Sequence, residues 1–342
     1  MKKIYRLQSI GGSVYVALPK DWLRRYSLGK GSAVEVSIDI DGSLKIFPLR
    51  EGVKEAEVPS VKRGNEIEVF VEKPEEVYTS LLSAYLRGFD IIVLRLSSSS
   101  IEREVKNVID STKELLLGLE ILDIGSNYIV LKVLASEDTE LDSLIRNMHK
   151  MVRSMYTDAL NSLESRDIEL AKAVILRDRD VNRLYFYITR VIRKKILTQI
   201  LEPKTILKLI DSRMLIKFVE EIGDEAKNAA IASIEITSKK LEPNSSYISN
   251  VKKAVNNIDN IYRDTIMKAH EKTVEITELR QYMKICLTVR DTLKYMRIKL
   301  AEENPASYWF TEFIKSYENI AMNVYDILSL LPFELTSSMI YE

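Results

Sequence analysis

The chain has 342 residues, 46% hydrophobic and 29% charged, a balance of globular domains with a sizeable core rather than of disordered chains. Fifty basic residues against fifty acidic ones rule out a globally basic nucleic-acid binder, and a single cysteine, Cys286, rules out an intramolecular disulfide or a multi-cysteine metal site. The charge is unevenly spread, since residues 1–50 hold nine Lys/Arg and four acids, a surplus of five that the remainder cancels, and such asymmetry points to a nucleic acid or another anionic partner at the basic end.

Glycine placement divides the chain: ten of the eleven glycines fall by Gly125, and Gly223 alone lies beyond, so a turn-rich front precedes a helical back. Residues 3–9 and 13–18 alternate like strands about a Gly-Gly turn. "PKDWLRRYS" reads as a short helix opened by Pro19 and closed by Gly29. "AVEVSID" and "SLKIFP" flank Asp41-Gly42, a hairpin signal, and Pro48, Gly52 and Pro59 mark a linker. Over 66–135 the pattern predicts a small α+β module. Its strands are "IEVFVE", "DIIVLRL", "LEILDIG" and "YIVLKVL", and its helices run from Pro74 to Leu86 and from Ser100 to Leu117, where Gly118 stops the second. The four serines at 97–100 read as a loop ending in an N-cap, with a small-anion site at that helix start as the alternative.

From residue 138 the periodicity is helical, with helices near 138–165, 167–198, 205–240, 246–273, 275–302 and 305–331. Pro203, Pro243 and Pro305 sit at three of the breaks, and short loops between long helices imply antiparallel bundles. Three helices on either side of Pro243 suggest a duplicated unit. The resulting divisions are 1–50, 51–137, 138–242 and 243–342.

"VEEIGDEAKN" (219–228) puts a glycine inside a helix among four carboxylates. Glycine there costs about 1 kcal/mol against alanine, and the pairs Glu220/Asp224 and Glu221/Glu225, each four apart, repel by a few tenths more. Glu220 and Asp224 share a face roughly opposite the apolar stripe of Phe218, Val219, Ile222 and Ala226, so they are expected to point away from the core. A cation between them would cancel the repulsion, and all-oxygen ligation suits Mg²⁺ or Mn²⁺. Gly223, beside the stripe, would allow close helix approach. The plainer reading is a solvated acidic face neutralised by Lys217 and Lys227.

The segment "RLQSIGGSVYVALPKDWLRRYSLGKGSAVEVSIDIDGSLKIFPL" resembles the AbrB/SpoVT/MazE-like domain, through Gly11-Gly12-Ser13, "LPKDW", "LGKG" and "VEV" in that order. The resemblance implies a swapped-hairpin β-barrel in which two chains interlace, a homodimer through this head, and binding to DNA. So short a stretch buries too little apolar surface to stand alone, which agrees with dimerisation. Lys2, Lys3, Arg6, Lys20, Arg24, Arg25 and Lys30 would contact phosphates, and arginines among them could read bases. A dimerisation module with merely solvated lysines is the alternative.

"RDIELAKAVILRDRDVNRLYFYITRVI" followed by "RMLIKFVEEIGDEAKNAA" resembles PhoU, a helical protein of phosphate signalling, over roughly 138–335 as two three-helix bundle repeats. AbrB-like head, α+β middle and PhoU-like tail together resemble an archaeal phosphate-uptake regulator. The resemblance implies iron or zinc at acidic pairs spaced i, i+4, which here fall on Asp178 with Asn182 and on Glu220 with Asp224. Asn182 stands where the family has an acid, and in the second repeat Glu318 is followed by Met322.

His149 and His270 each stand alone on a predicted helix, no nucleophile–base set is assembled, and no "GxxxxGK[ST]" is present, so no enzyme is expected. No signal peptide or membrane-spanning apolar run is visible, so a cytoplasmic protein without membrane insertion is expected. The leading expectation is a phosphate-responsive, DNA-binding transcriptional regulator. Its rivals are a signalling adaptor that docks on a phosphate transporter's ATPase or a kinase, and a metal-dependent hydrolase, which lacks a basic or nucleophilic partner near Glu220 and Asp224.

Overall fold

The computed structural model describes residues 6–32, 34–38, 44–48, 65–135, 140–199, 201–242, 245–271, 274–303, 307–331 and 333–334. The chain divides into two units, one of residues 1–61 with 200–203 and the other of 62–199 with 204–342.

In the first unit, β1 (Gln8–Ile10) and β2 (Ser13–Tyr15) form an antiparallel hairpin with Ile10 opposite Ser13. Gly11 and Gly12 have φ of 57° and 86°, the positive values that a two-residue hairpin turn demands and that glycine adopts freely. Helix α1 (Lys20–Arg25) follows Pro19, and β3 (Val34–Ile38) pairs antiparallel with β4 (Leu44–Pro48). The Asp41-Gly42 turn and the linker glycine and proline at 52 and 59 lie outside the described residues.

The second unit opens with a sheet of β5 (Glu66–Val71), β6 (Ile91–Leu96), β7 (Leu119–Gly125) and β8 (Tyr128–Val133) in the order β5-β6-β8-β7. β5 and β6 are parallel, joined by α2 (Glu76–Leu86), and β8 runs antiparallel to both neighbours. Inward-facing Ile92, Leu94, Ile129 and Leu131 meet Leu81 and Tyr85 of α2 and Val105 and Ile109 of α3 (Glu102–Lys113) in one core. The second helix is shorter than its apolar pattern predicts. A 3₁₀ turn covers Ser99–Ile101, α3 ends at Lys113, and the chain turns through to Gly118. Gly118 has φ 77°, and a Cβ there would lie 2.6 Å from the Ala135 amide nitrogen, so both backbone and space require glycine. Ser98 Oγ accepts from the Ser100 amide, and Glu102 and Glu104 occupy the first turn of α3. The loop therefore caps its own helix beside two carboxylates, which is the wrong charge for an anion site.

Six long helices follow: α4 (Leu141–Ser165), α5 (Ile168–Thr198), α6 (Pro203–Ser238), α7 (Ser245–Glu271), α8 (Ile276–Glu303) and α9 (Tyr308–Leu328). The pattern and the three prolines place all six to within a few residues. α4 closes on Arg166 in the left-handed region, and the Asp167 carboxylate accepts from the Leu170 amide to cap α5. Arg153 of α4 makes two bonds to Asp259 of α7, at 2.6 and 2.9 Å, and Tyr156 donates to the same carboxylate at 2.7 Å. The three helices before Pro243 and the three after it thus meet along α4 and α7. Two short parallel strands, β9 (Val274–Glu275) and β10 (Phe333–Glu334), are absent from the sequence reading, because two residues show no periodicity.

Helix α5 also carries the α+β module. Arg190 is 1% exposed, donates to the Tyr85 and Phe89 carbonyls at 2.9 and 2.8 Å, and pairs with Asp90. Its guanidinium lies 5.0 Å from the Tyr85 ring centroid, and Lys194 adds a 2.8 Å bond to Asp90. The Tyr85 carbonyl also accepts from the Gly88 amide at 3.0 Å, so the guanidinium shares that acceptor at the C-terminal end of α2, where a cation is favourable.

Candidate functional site

Two regions carry the expected site residues. In the first unit, Arg6 precedes β1, Lys20, Arg24 and Arg25 lie on α1, and Lys30 sits in the turn after it, all five exposed. Lys2 and Lys3 lie outside the described residues. Lys20 and Arg24 are four apart and share a helix face. Among the described residues of this unit no side chain is buried. Leu7 is 71% exposed, Val14 67% and Leu44 63%, which is a large share of bare apolar surface for so small a unit.

The second region is the face where α5 meets α6. Val219, Ile222 and Ala226 of the apolar stripe are fully buried while Phe218 is half-buried, and Gly223 lies against Val152 of α4 and Val181 of α5. Asp178, Asn182 and Asp224 are brought together. Asp178 accepts from Lys227 at 2.8 Å and from Asn182 at 3.2 Å, and the same Lys227 ammonium reaches Asp224 at 3.1 Å. Asp178 is nearly buried, and burial pushes its carboxyl above the ordinary value while Lys227 pulls it back. Burial draws the Lys227 ammonium down, but bonds to Asp178 and Asp224 outweigh that and hold it above the usual range.

Glu220 corrects the expectation that it faces solvent with Asp224. Its side chain is 13% exposed and bonds at 2.7 Å to Lys217, which also reaches Glu221 at 3.3 Å. Burial raises the Glu220 carboxyl, with Lys217 opposing it. The 100° rotation per residue separates Glu220 from the stripe on α6 itself but cannot show what packs on that flank. Lys217 and Lys227, which the sequence offers as neutralising cations, are thus the partners that organise this face with the expected ligands; what the sequence does not show is that Lys227 also reaches across to Asp178 on α5.

Beside it an open cleft of about 530 Å³ runs between α6 and α9, lined by Glu221, Asp224, Glu225, Asn228, Asn319 and Asn323 among others. Asn319 donates to Glu225 at 2.9 Å across it. Among the described residues no three His, Cys, Asp or Glu side chains stand close enough to hold a metal ion together. The donor set that does converge, Asp178 with Asp224, has an ammonium between its two carboxylates, so it does not fit a metal ion unless that lysine leaves. In the second group of helices Glu318 is bound by Arg297 at 3.0 Å, and Met322 lies 3.9 Å from Arg290. His149 is buried, while the His270 side chain lies outside the described residues, and Cys286 is buried with its thiol pushed up to about 12.

Two family models match this chain: the PhoU domain over residues 145–232, and "Antidote-toxin recognition MazE, bacterial antitoxin" over residues 7–54. Comparison with curated proteins gives no match. Similar solved structures include PhoU from Pseudomonas aeruginosa, at 20% identity and a TM-score of 0.46, over 56% of this chain and 92% of that one. The phosphate transport system regulatory protein PhoU from Streptococcus pneumoniae is similar at 14% identity and a TM-score of 0.44, over 56% and 90%.

Proposed function

We propose that this chain, which joins a PhoU domain to a MazE-like segment, is a phosphate-responsive transcriptional regulator that binds DNA through its head and controls phosphate uptake through its helices. The observation that carries the reading is the presence of both matches in one chain, at 7–54 and 145–232. A PhoU domain suggests phosphate-uptake regulation, and the MazE-like segment adds a route to DNA. The exposed Arg6, Lys20, Arg24, Arg25 and Lys30 supply the cationic groups for phosphates. Bare Leu7, Val14 and Leu44 support a second copy as cover, since two-stranded hairpins without a shared core are at best marginal in water. In this reading the head is the interlaced barrel of a homodimer, and the two sets of three helices are PhoU-like repeats. Helix α5 would pass changes in the bundle to the α+β module. A sensed ligand must bind one arrangement of the bundle better than another to shift DNA binding. Among the described residues no helix is long and apolar enough to cross a membrane, and the protein acts in the cytoplasm without catalysing a reaction.

The rival is a signalling adaptor whose cleft, with Glu221, Asp224 and Glu225, receives a basic surface of a phosphate-transporter ATPase or a kinase. Chromatin occupancy in phosphate-rich and phosphate-starved cells separates the two. Supply-dependent peaks at phosphate-transport promoters, lost on charge reversal of Arg6, Arg24 and Arg25, support the DNA-binding regulator. Regulation that survives the reversal, with no reproducible peaks, refutes it and leaves the adaptor.

A further inference from the structure

We propose that Lys227 is the resident cation of the α5–α6 site, its ammonium filling the bridging position between Asp178 and Asp224 so that the helix pair closes without a metal ion. Both carboxylates are within hydrogen-bond reach of one Nζ, at 2.8 and 3.1 Å, and they come from different helices. Lys227 is placed by helix geometry, three residues on from Asp224, so the backbone that brings one carboxylate also brings the cation. The Asp178 side chain is 9% exposed, and without Lys227 only the neutral Asn182 amide would be left to it, so its charge would stand unbalanced at that depth, which is strongly unfavourable. A divalent ion entering here would have to displace the ammonium, which is tethered to the same helix and so never diluted away. It would then also leave that ammonium without its carboxylates.

The other helix pair shows the same solution with different residues. There Arg297 of α8 bonds Glu318 of α9 at 3.0 Å, and one turn further along α9 stands Met322, approached by an arginine and not by a second acid. Each helix pair therefore matches its carboxylates with a basic side chain of its own. The iron or zinc expected from the PhoU resemblance is replaced at this place by lysine. This inference concerns the site alone and holds whether the protein acts on DNA or as an adaptor.

The test uses the full chain and Mn²⁺ as the probe, with binding followed by electron paramagnetic resonance. Lys227→Met keeps the length of the side chain and removes its charge. The expected result is that Lys227→Met binds Mn²⁺ at least tenfold more tightly than the wild type, and that adding Asp178→Asn cancels the gain. The wild-type melting temperature should not change on treatment with EDTA, a measurement that stands even if the variant does not fold. Equal Mn²⁺ affinity in wild type and variant, or a wild-type protein that loses bound metal and melts lower in EDTA, overturns the proposal.

Discussion

His149 shows what one buried titratable side chain does to a protein of this kind. It is 7% exposed, its ring centroid is 4.4 Å from that of Tyr262, and its Nδ1 has no hydrogen-bond partner among the described residues. Burial first, and the Arg153 charge second, draw its pKa down from 6.5 to about 4. The folded protein thus holds the neutral ring where the unfolded chain is already protonated. Between about pH 6.5 and pH 4 the unfolded state binds more protons, so stability falls as pH falls through that window. Urea unfolding of wild type and His149→Leu should diverge there. The wild type should lose up to a few kcal/mol more than the variant between pH 7 and pH 4.5, and parallel pH curves would mean that the ring is hydrated. A lone histidine on a predicted helix reads from sequence as packing or surface rather than a ligand, and His149 is buried in packing. Its orphaned nitrogen was not legible, because the partner ring comes from α7, more than a hundred residues away.

At the scale of elements, α6 carries the clearest lesson. Its apolar stripe is legible from periodicity, and Val219, Ile222 and Ala226 are buried as that stripe predicts. The glycine in its middle is not explained by crowding. A Cβ on Gly223 would meet Val152 Cγ2 and Val181 Cγ1 at 3.4 Å each, ordinary contact distance, and its φ needs no glycine. Gly223→Ala should therefore raise stability by up to about 1 kcal/mol, by restricting the unfolded chain and filling the seam. Gly223→Leu should lower it by about 1–3 kcal/mol through overpacking. Thermal melts of the two variants check this, and a lower melting temperature for the alanine would show that the helices cannot give. Pro203, Pro243 and Pro305 made the helix ends readable, because proline lacks the amide that a helix interior needs. The early end of α3 at Lys113 was hidden, since Leu115, Leu116 and Leu117 continue an apolar pattern that the chain spends on a turn into the sheet.

On the scale of the whole molecule, the order of head, α+β module and long helices was legible in turn residues and periodicity. The pairing of charges between helices was not, since it depends on which flanks meet. The DNA-binding reading makes a claim of this size, because a dimer doubles every cationic side chain on the head. If several phosphates are neutralised, the logarithm of affinity for promoter DNA should fall linearly with the logarithm of salt, with a slope of about −0.9 per contact. A loss of the order of a thousandfold between 50 and 200 mM salt is expected. A flat titration would remove direct phosphate contact from the account.

Arg190 bears on how such a chain could have been assembled. Its guanidinium belongs to α5 by sequence, yet most of its bonds end on Tyr85, Phe89 and Asp90 of the α+β module. Excising residues 65–135 would remove two carbonyls and the carboxylate that this guanidinium bonds and bare the flank of α5 that they cover. The module is therefore not a bead that can be threaded on or off the string. A helix built to stand without the module is expected to carry a different side chain at position 190.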